Sequence, residues 1–119
     1  MHTFDFQNLT VYKNAKSFHS SALQHLVAYP GIGRVIGCQL ERAALSIPLN
    51  IAEGSGRYTN PDRRNFFIIA RSSVFECVAI FDILNDQNQM TPEEFLKFTS
   101  LADELSRMLY RMIDNLKKK

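Results

Sequence analysis

Apolar residues along this chain recur every three to four positions. Leu9, Tyr12, Ala15, Phe18, Ala22, Leu23 and Leu26 form a first stripe, which predicts a helix near residues 9–29 that Pro30-Gly31 stops. Ile36, Leu40, Ala44, Ile47 and Ile51 predict a second over about 34–54, with Gly54 and Gly56 at its end, where glycine commonly closes helices. A third is expected over 61–86. Asn60 reads as its N-cap and Pro61 as its first residue, where a missing N–H costs nothing. The clearest start is Thr91-Pro92-Glu93-Glu94, a capping box with two acids in the positive first turn. Phe95, Phe98, Leu101, Leu105, Met108, Met112 and Leu116 follow it at heptad-like spacing to about residue 117. No segment alternates at period two for long enough to be a strand. The expected fold is all-α, an antiparallel up-down four-helix bundle.

Three features complicate that picture. Pro48 lies inside the second helical pattern, where it removes a backbone donor and pushes Ile47 from the α region. Because the apolar stripe keeps phase across it, a kink is expected rather than a break. The third helix is greasy nearly all round: Phe66, Phe67, Ile69, Ala70, Val74, Phe75, Cys77, Val78, Ile80, Phe81 and Leu84 surround much of it. Such a helix is buried on more than one side, which a lone bundle does not provide. Finally, Gln39, Arg42, Ser46, Asn50, Glu53 and Arg57 are spaced 3, 4, 4, 3, 4 and so share one face of the second helix. Ser and Asn are poor in helix interiors unless their side chains find partners. Two readings follow, an ordinary wet face or a polar seam against another subunit, with Glu53 and Arg57 able to pair at i,i+4.

The chain is one domain long, at 119 residues, and 45% hydrophobic with 22% charged. That composition excludes collagen-like, disordered and disulfide-scaffold classes. No apolar run approaches the ~18 residues of a membrane span, and Met1-His2-Thr3-Phe4-Asp5 has no leader pattern. Cys38 and Cys77, both within apolar helical patterns, suit a reduced, cytoplasmic protein. Charge changes the picture more. Residues 1–71 carry eight basic groups against four acids, residues 72–116 three against eight, and Lys117 to Lys119 close the chain. This asymmetry suits a polyanion partner or head-to-tail contacts between copies, beside the plainer reading of uneven solvation.

Catalytic constellations are not found. Gly54-Ser55-Gly56-Arg57 lacks the Lys-Ser/Thr and the preceding strand of a phosphate loop, and it follows the negative end of a helix. The next helix start is better placed for an anion, with Arg57, Arg63 and Arg64 beside it. These three, with Arg42 of the polar stripe, are the candidate phosphate contacts; Gln39, Ser46, Asn50 and Glu53 are the candidate subunit contacts. His2 is terminal, and His19 and His25 do not share a helical face, so both are expected at the surface or its boundary. No metal or cofactor set is seen: Glu53 and Glu76 lack the Glu-x-x-His pattern of di-iron bundles. Met90, Met108 and Met112 read as loop and core filler.

Phe6-Gln7-Asn8-Leu9-Thr10-Val11-Tyr12-Lys13-Asn14-Ala15 and the long block from Gln39 through Ala52-Glu53-Gly54-Ser55-Gly56-Arg57 resemble the 23S rRNA intervening-sequence proteins, a four-helix-bundle family. The likeness continues through Phe66-Phe67-Ile68-Ile69-Ala70-Arg71-Ser72-Ser73 and Glu76 to the last helix. Ser72 stands where the family usually has glycine, which suggests looser helix contact there. The resemblance implies a homopentameric barrel and a biochemical function that is not established. The accessory variability protein of diversity-generating retroelements, which binds nucleic acid and a reverse transcriptase, is similar in fold, an analogy at that level only. A pentamer would cover both the second face of the third helix and the polar seam. The expected function is non-enzymatic: a homo-oligomer that binds RNA or DNA through phosphates, or else a protein-interaction scaffold.

Overall fold

The structure is a computed structural model that describes residues 3–117; His2 and the lysines after Lys117 lie outside them. After a 3₁₀ turn over Asp5–Asn8, four helices follow: α1 (Thr10–Ala28), α2 (Arg34–Ser55), α3 (Asn60–Asp86) and α4 (Pro92–Lys117). No strand occurs among the described residues. The 3₁₀ turn was not expected; it carries no full apolar period and ends where Leu9 turns extended.

Each boundary has a local cause. At α4, Thr91 Oγ1 accepts the Glu94 amide at 3.1 Å and Glu94 Oε1 accepts the Thr91 amide at 2.7 Å, the reciprocal capping box expected there. At α3 the expected cap is corrected. Thr59, extended at φ −98° and ψ 150°, is the N-cap, its Oγ1 accepting the Asp62 amide at 3.3 Å, and Asn60 is already helical. A threonine hydroxyl three residues before that amide reaches it without an adjacent Asn. The α3 end is a Schellman closure: the Asn88 amide bonds the Asn85 carbonyl and the Gln89 amide the Leu84 carbonyl. Asn88 supplies the left-handed residue that motif requires, at φ 58°. Helix α2 runs unbroken through Pro48, which is buried inside it.

Three short loops set the topology. The end of α1 meets the start of α4, through Tyr29 and Glu94, while Asn14 near its beginning reaches Met108 near the end of α4. Helix α3 packs against both α2 and α4, and α1 against α2 and more lightly against α4. Consecutive helices are therefore antiparallel neighbours in a bundle 46 × 29 × 24 Å across.

The core joins Phe18, Leu40, Ile47, Ile51, Val74, Cys77, Phe81, Leu84, Leu105 and Leu109. Phe81 stacks on Phe98 at 4.3 Å between centroids, and Phe18 meets both rings edge-on. The α2 stripe is buried as expected from Leu40 to Ile51, with Ile36 at its margin; on α4 the centre shifts to include Ala102 and Leu109, with Leu101 and Met108 at its margin. Burial pushes the Cys77 thiol up to about 12, with Glu76 adding to it, so this cysteine packs as a neutral small hydrophobe. Cys38, placed by its sequence in an apolar pattern, is exposed on the outer side of α2. The outer face of α3 is only half covered: Ile68, Ile69, Phe75 and Ile83 are each between 42% and 56% exposed.

Candidate functional site

The α2–α3 connection is tight because Gly54 lets the helices touch. A Cβ there would lie 2.8 Å from the Phe67 ring and 2.9 Å from Phe66 Cβ. This approach sets the four-residue loop 56–59 and, with it, the expected arginine cluster. Arg57 is engaged on every side. Its Nη2 meets Glu53 Oε2 at 3.2 Å, its Nε lies 3.8 Å from Asp62 Oδ2, and its guanidinium sits 4.5 Å from the centre of the Phe66 ring. Arg63 is held differently: its Nε donates to the Arg57 carbonyl at 2.6 Å. No carboxylate lies within ion-pair distance of Arg63 or Arg64 among the described residues. Arg42 is apart from the loop, donating to Gln39 Oε1 at 3.2 Å.

The polar stripe of α2 finds its partners inside the protomer. Asn50 Nδ2 donates to the Ser46 carbonyl at 2.8 Å and to its hydroxyl at 2.9 Å. Ser73 of α3, which is buried, donates to Ser46 Oγ at 2.9 Å. Ser46 and Asn50 thus serve the α2–α3 seam, whereas Gln39 and Glu53 remain exposed. The stripe was legible in the sequence, whereas its partner Ser73 lies on another helix and carried no local signal.

A groove that sequence reasoning missed runs between α3 and α4. Arg71 Nε donates to the Ser106 carbonyl at 3.1 Å, and its guanidinium lies 4.9 Å from the Phe75 ring centre and 5.6 Å from that of Tyr110. Arg71, Phe75 and Tyr110 line a cleft of about 450 Å³ together with Ile68, Ser72 and Ile113. No carboxylate pairs with Arg71 among the described residues. Ser72 is exposed and lines this cleft, facing α4 across it. The available signal was Arg71 and Phe75 at i,i+4, which places a cation over a ring.

At the opposite end of the bundle, His25 corrects its expected surface position: it is only 5% exposed. Its Nε2 bonds the Gln89 carbonyl at 2.9 Å, and its ring stacks on Tyr29 and meets Phe98 edge-on. Tyr29 donates to Glu94 Oε1 at 2.6 Å, which lowers the Glu94 carboxyl below its usual range and raises the phenol. A half-exposed interaction of this kind fastens two helix ends.

Among the described residues no three His, Cys, Asp or Glu side chains converge as a metal cluster, and no helix is long and apolar enough to cross a membrane. A second cleft of about 790 Å³ near the 3₁₀ turn is lined mainly by apolar groups, with Arg63 and Asp5 at its polar edge.

The chain matches the family described as 23S rRNA-intervening sequence protein over residues 7–111. It is similar in structure to a protein of unknown function from the S23 ribosomal protein family of Bacteroides thetaiotaomicron VPI-5482, with a TM-score of 0.81 and 21% identity. That likeness covers 87% of this chain and 98% of the other, and at such identity it speaks for the fold alone. No curated protein matches. With four helices, short connections and a match across most of its length, the chain belongs to the 23S rRNA-intervening sequence protein family.

Proposed function

We propose that the protein is a non-enzymatic, homo-oligomeric bundle of the cytoplasm that binds RNA or DNA through phosphate contacts. One observation carries this reading. Glu53 and Asp62, the acids nearest the loop in sequence, are both directed at Arg57, which leaves Arg63 and Arg64 beside the α3 start without a counter-ion among the described residues. Arginine's fixed fork suits phosphate oxygens, and the positive end of α3 adds to the attraction. Arg57 orders the loop in this reading, and Arg42 extends the basic surface along α2.

The assembly we propose is a closed ring, five subunits by family resemblance, with α2 bent at Pro48 to follow its curvature. The uncovered apolar face of α3 supports an assembly of some kind. On α2 the proposed subunit contacts are Gln39 and Glu53, which are exposed, whereas Ser46 and Asn50 are half-buried and bonded within the α2–α3 seam. A ring repeats each loop, so individually weak phosphate contacts add if one nucleic acid spans several copies.

Salt titration of RNA and DNA binding tests the reading. Two phosphates neutralised at each of three engaged loops make a Z of roughly 6 and a log–log slope of about −5 on duplex DNA, shallower on single strands. Arg63→Glu with Arg64→Glu should abolish binding and leave the oligomer whole. A double variant that binds as well as the parent, or one that dissociates, refutes the phosphate assignment. Binding with no salt dependence, or none at all, favours the scaffold reading, for which the same exposed apolar face speaks.

A further inference from the structure

We infer that the loop between α2 and α3 recognises single-stranded nucleic acid, a base stacking on the Tyr58 ring while Arg63 and Arg64 hold the flanking phosphates. This rests on the phosphate reading proposed above and adds which form of nucleic acid the loop fits. Tyr58 is 100% exposed, more than any other large apolar or aromatic residue among the described ones. It directly precedes Thr59, the N-cap of α3. An aromatic residue at that position often packs on the fourth residue of the helix and fixes the entry of the chain. Here the fourth residue is Arg63, whose Nε turns back to the Arg57 carbonyl at 2.6 Å. The Tyr58 ring is therefore left without a packing role in the protomer.

The loop holds that ring out without itself being loose. The Arg57 amide bonds the Gly54 carbonyl at 3.2 Å and the Arg63 amide bonds the Thr59 carbonyl at 2.9 Å, while Thr59 Oγ1 takes the Asp62 amide. Backbone on both sides of Tyr58 is thus fixed before any ligand arrives, so little is lost in ordering it. Charge is placed to match. Between Glu53 and Arg64 stand Arg57, Arg63 and Arg64 against two acids, and both acids are spent on Arg57. Arg63 and Arg64, just past Tyr58 in the first turns of α3, have no carboxylate within ion-pair distance among the described residues. A single strand offers what this arrangement takes, bases with faces free to stack on a backbone of evenly repeated phosphates. Inside a duplex each base face is covered by the next pair, so Tyr58 gains nothing there. Stacking of this kind accepts any base, so the loop should select for strandedness and not for sequence.

Fluorescence anisotropy with three labelled probes tests this: an oligothymidylate of about 20 nucleotides, its duplex with oligoadenylate, and an abasic sugar–phosphate chain of the same length. Tyr58→Ala should weaken binding of the oligothymidylate by about 5- to 150-fold for each ring engaged. It should leave the duplex and the abasic chain bound as before, and the salt slope unaltered, because no charge is removed. Tyr58→Phe, which keeps the ring, should bind as the parent does. The chain holds no tryptophan, so Tyr58→Trp supplies a lone indole, whose emission the oligothymidylate should quench and the abasic chain should not. The position is fully exposed, so the fold should persist in all three variants, as circular dichroism melting can check. Stacking on Tyr58 is overturned if Tyr58→Ala weakens all three probes equally or none of them, or if the indole emission is unchanged at saturating oligothymidylate. It is likewise overturned if Tyr58→Ala lowers the mass seen in sedimentation, which would give the ring to a subunit contact. A parent that binds the duplex but not the oligothymidylate overturns it too and leaves the phosphate reading standing. A parent that binds none of the probes refutes the phosphate reading itself, and is told apart by that control alone.

Discussion

The two faces of α3 are nearly equal in apolar content and opposite in fate. The inner face carries Ala70, Val74, Cys77, Phe81 and Leu84, all at 1% exposure or less. The outer one carries Ile68, Ile69, Phe75 and Ile83, left open to solvent. Periodicity therefore measures how much of a helix is apolar; it does not say which neighbour covers it. In this bundle α2 and α4 flank α3 and close only the inner side. The same contrast separates the arginines. Arg57, in the loop, is neutralised by its own chain, whereas Arg71, on the outer side, is braced by rings with no carboxylate partner among the described residues. The outer face thus combines unburied apolar surface with unpaired charge, the usual mark of a surface used for contact.

The contrast can be broken most severely at its centre. Phe81→Ala should lower monomer stability by about 3–5 kcal/mol in urea unfolding, since a ring stacked on Phe98 leaves a cavity the helices cannot close. Phe75→Ala should leave monomer stability within about 0.5 kcal/mol, as exposed positions usually do. Equal losses at both sites would show that the monomer depends on its outer face no less than on its inner one. Gly54→Ala probes the inner side where α2 closes on Phe66 and Phe67. A methyl at 2.8–3.0 Å from three carbons of those rings and their stems forces the helices apart, at a cost of about 1–3 kcal/mol.

Ser73 marks the line where the faces meet. Ser73→Ala removes its bond to Ser46 and should cost about 1 kcal/mol, while leaving Asn50 still donating to Ser46. A neutral result would mean that water replaces the hydroxyl and that the α2 stripe is wetter than the seam suggests. The smallest effect belongs to the distant end of the bundle, which serves as the control. Glu94 titrates below its ordinary value in the fold, so its contribution is present above the usual carboxylate range and is lost as pH falls through the lowered value. The Tyr29 phenol is raised, so its contribution is present below the ordinary phenol value and lost as pH rises through the raised one. Tyr29→Phe should flatten both dependences slightly in pH-resolved thermal melts and leave the proposed assembly unchanged. A loss of assembly in that variant would place the contact surface at this end instead of on α3.

Four helices, their lengths and nearly all their stops were legible in the chain, because periodicity and capping are local. The Thr91–Glu94 box and the α2 stripe needed only residues within one or two turns to act. Where the reading slipped, a local choice had a close competitor: Thr59 and Asn60 are both good caps, and the backbone geometry chose the threonine. The pairing of Glu53 with Arg57 was visible for the same reason, at i,i+4. Other features depended on residues far apart in sequence. His25 is buried because the Gln89 carbonyl, sixty-four positions on, arrives to take its hydrogen bond. Ser46 is satisfied by Ser73, and Arg71 is braced by Ser106 and Tyr110, only because α3 lies between α2 and α4. The sequence by itself determined which surfaces are apolar and which residues are charged. Only the tertiary structure decided which of them remain unpartnered, since burial and neutralisation are properties of neighbours that the packing of the helices brings together.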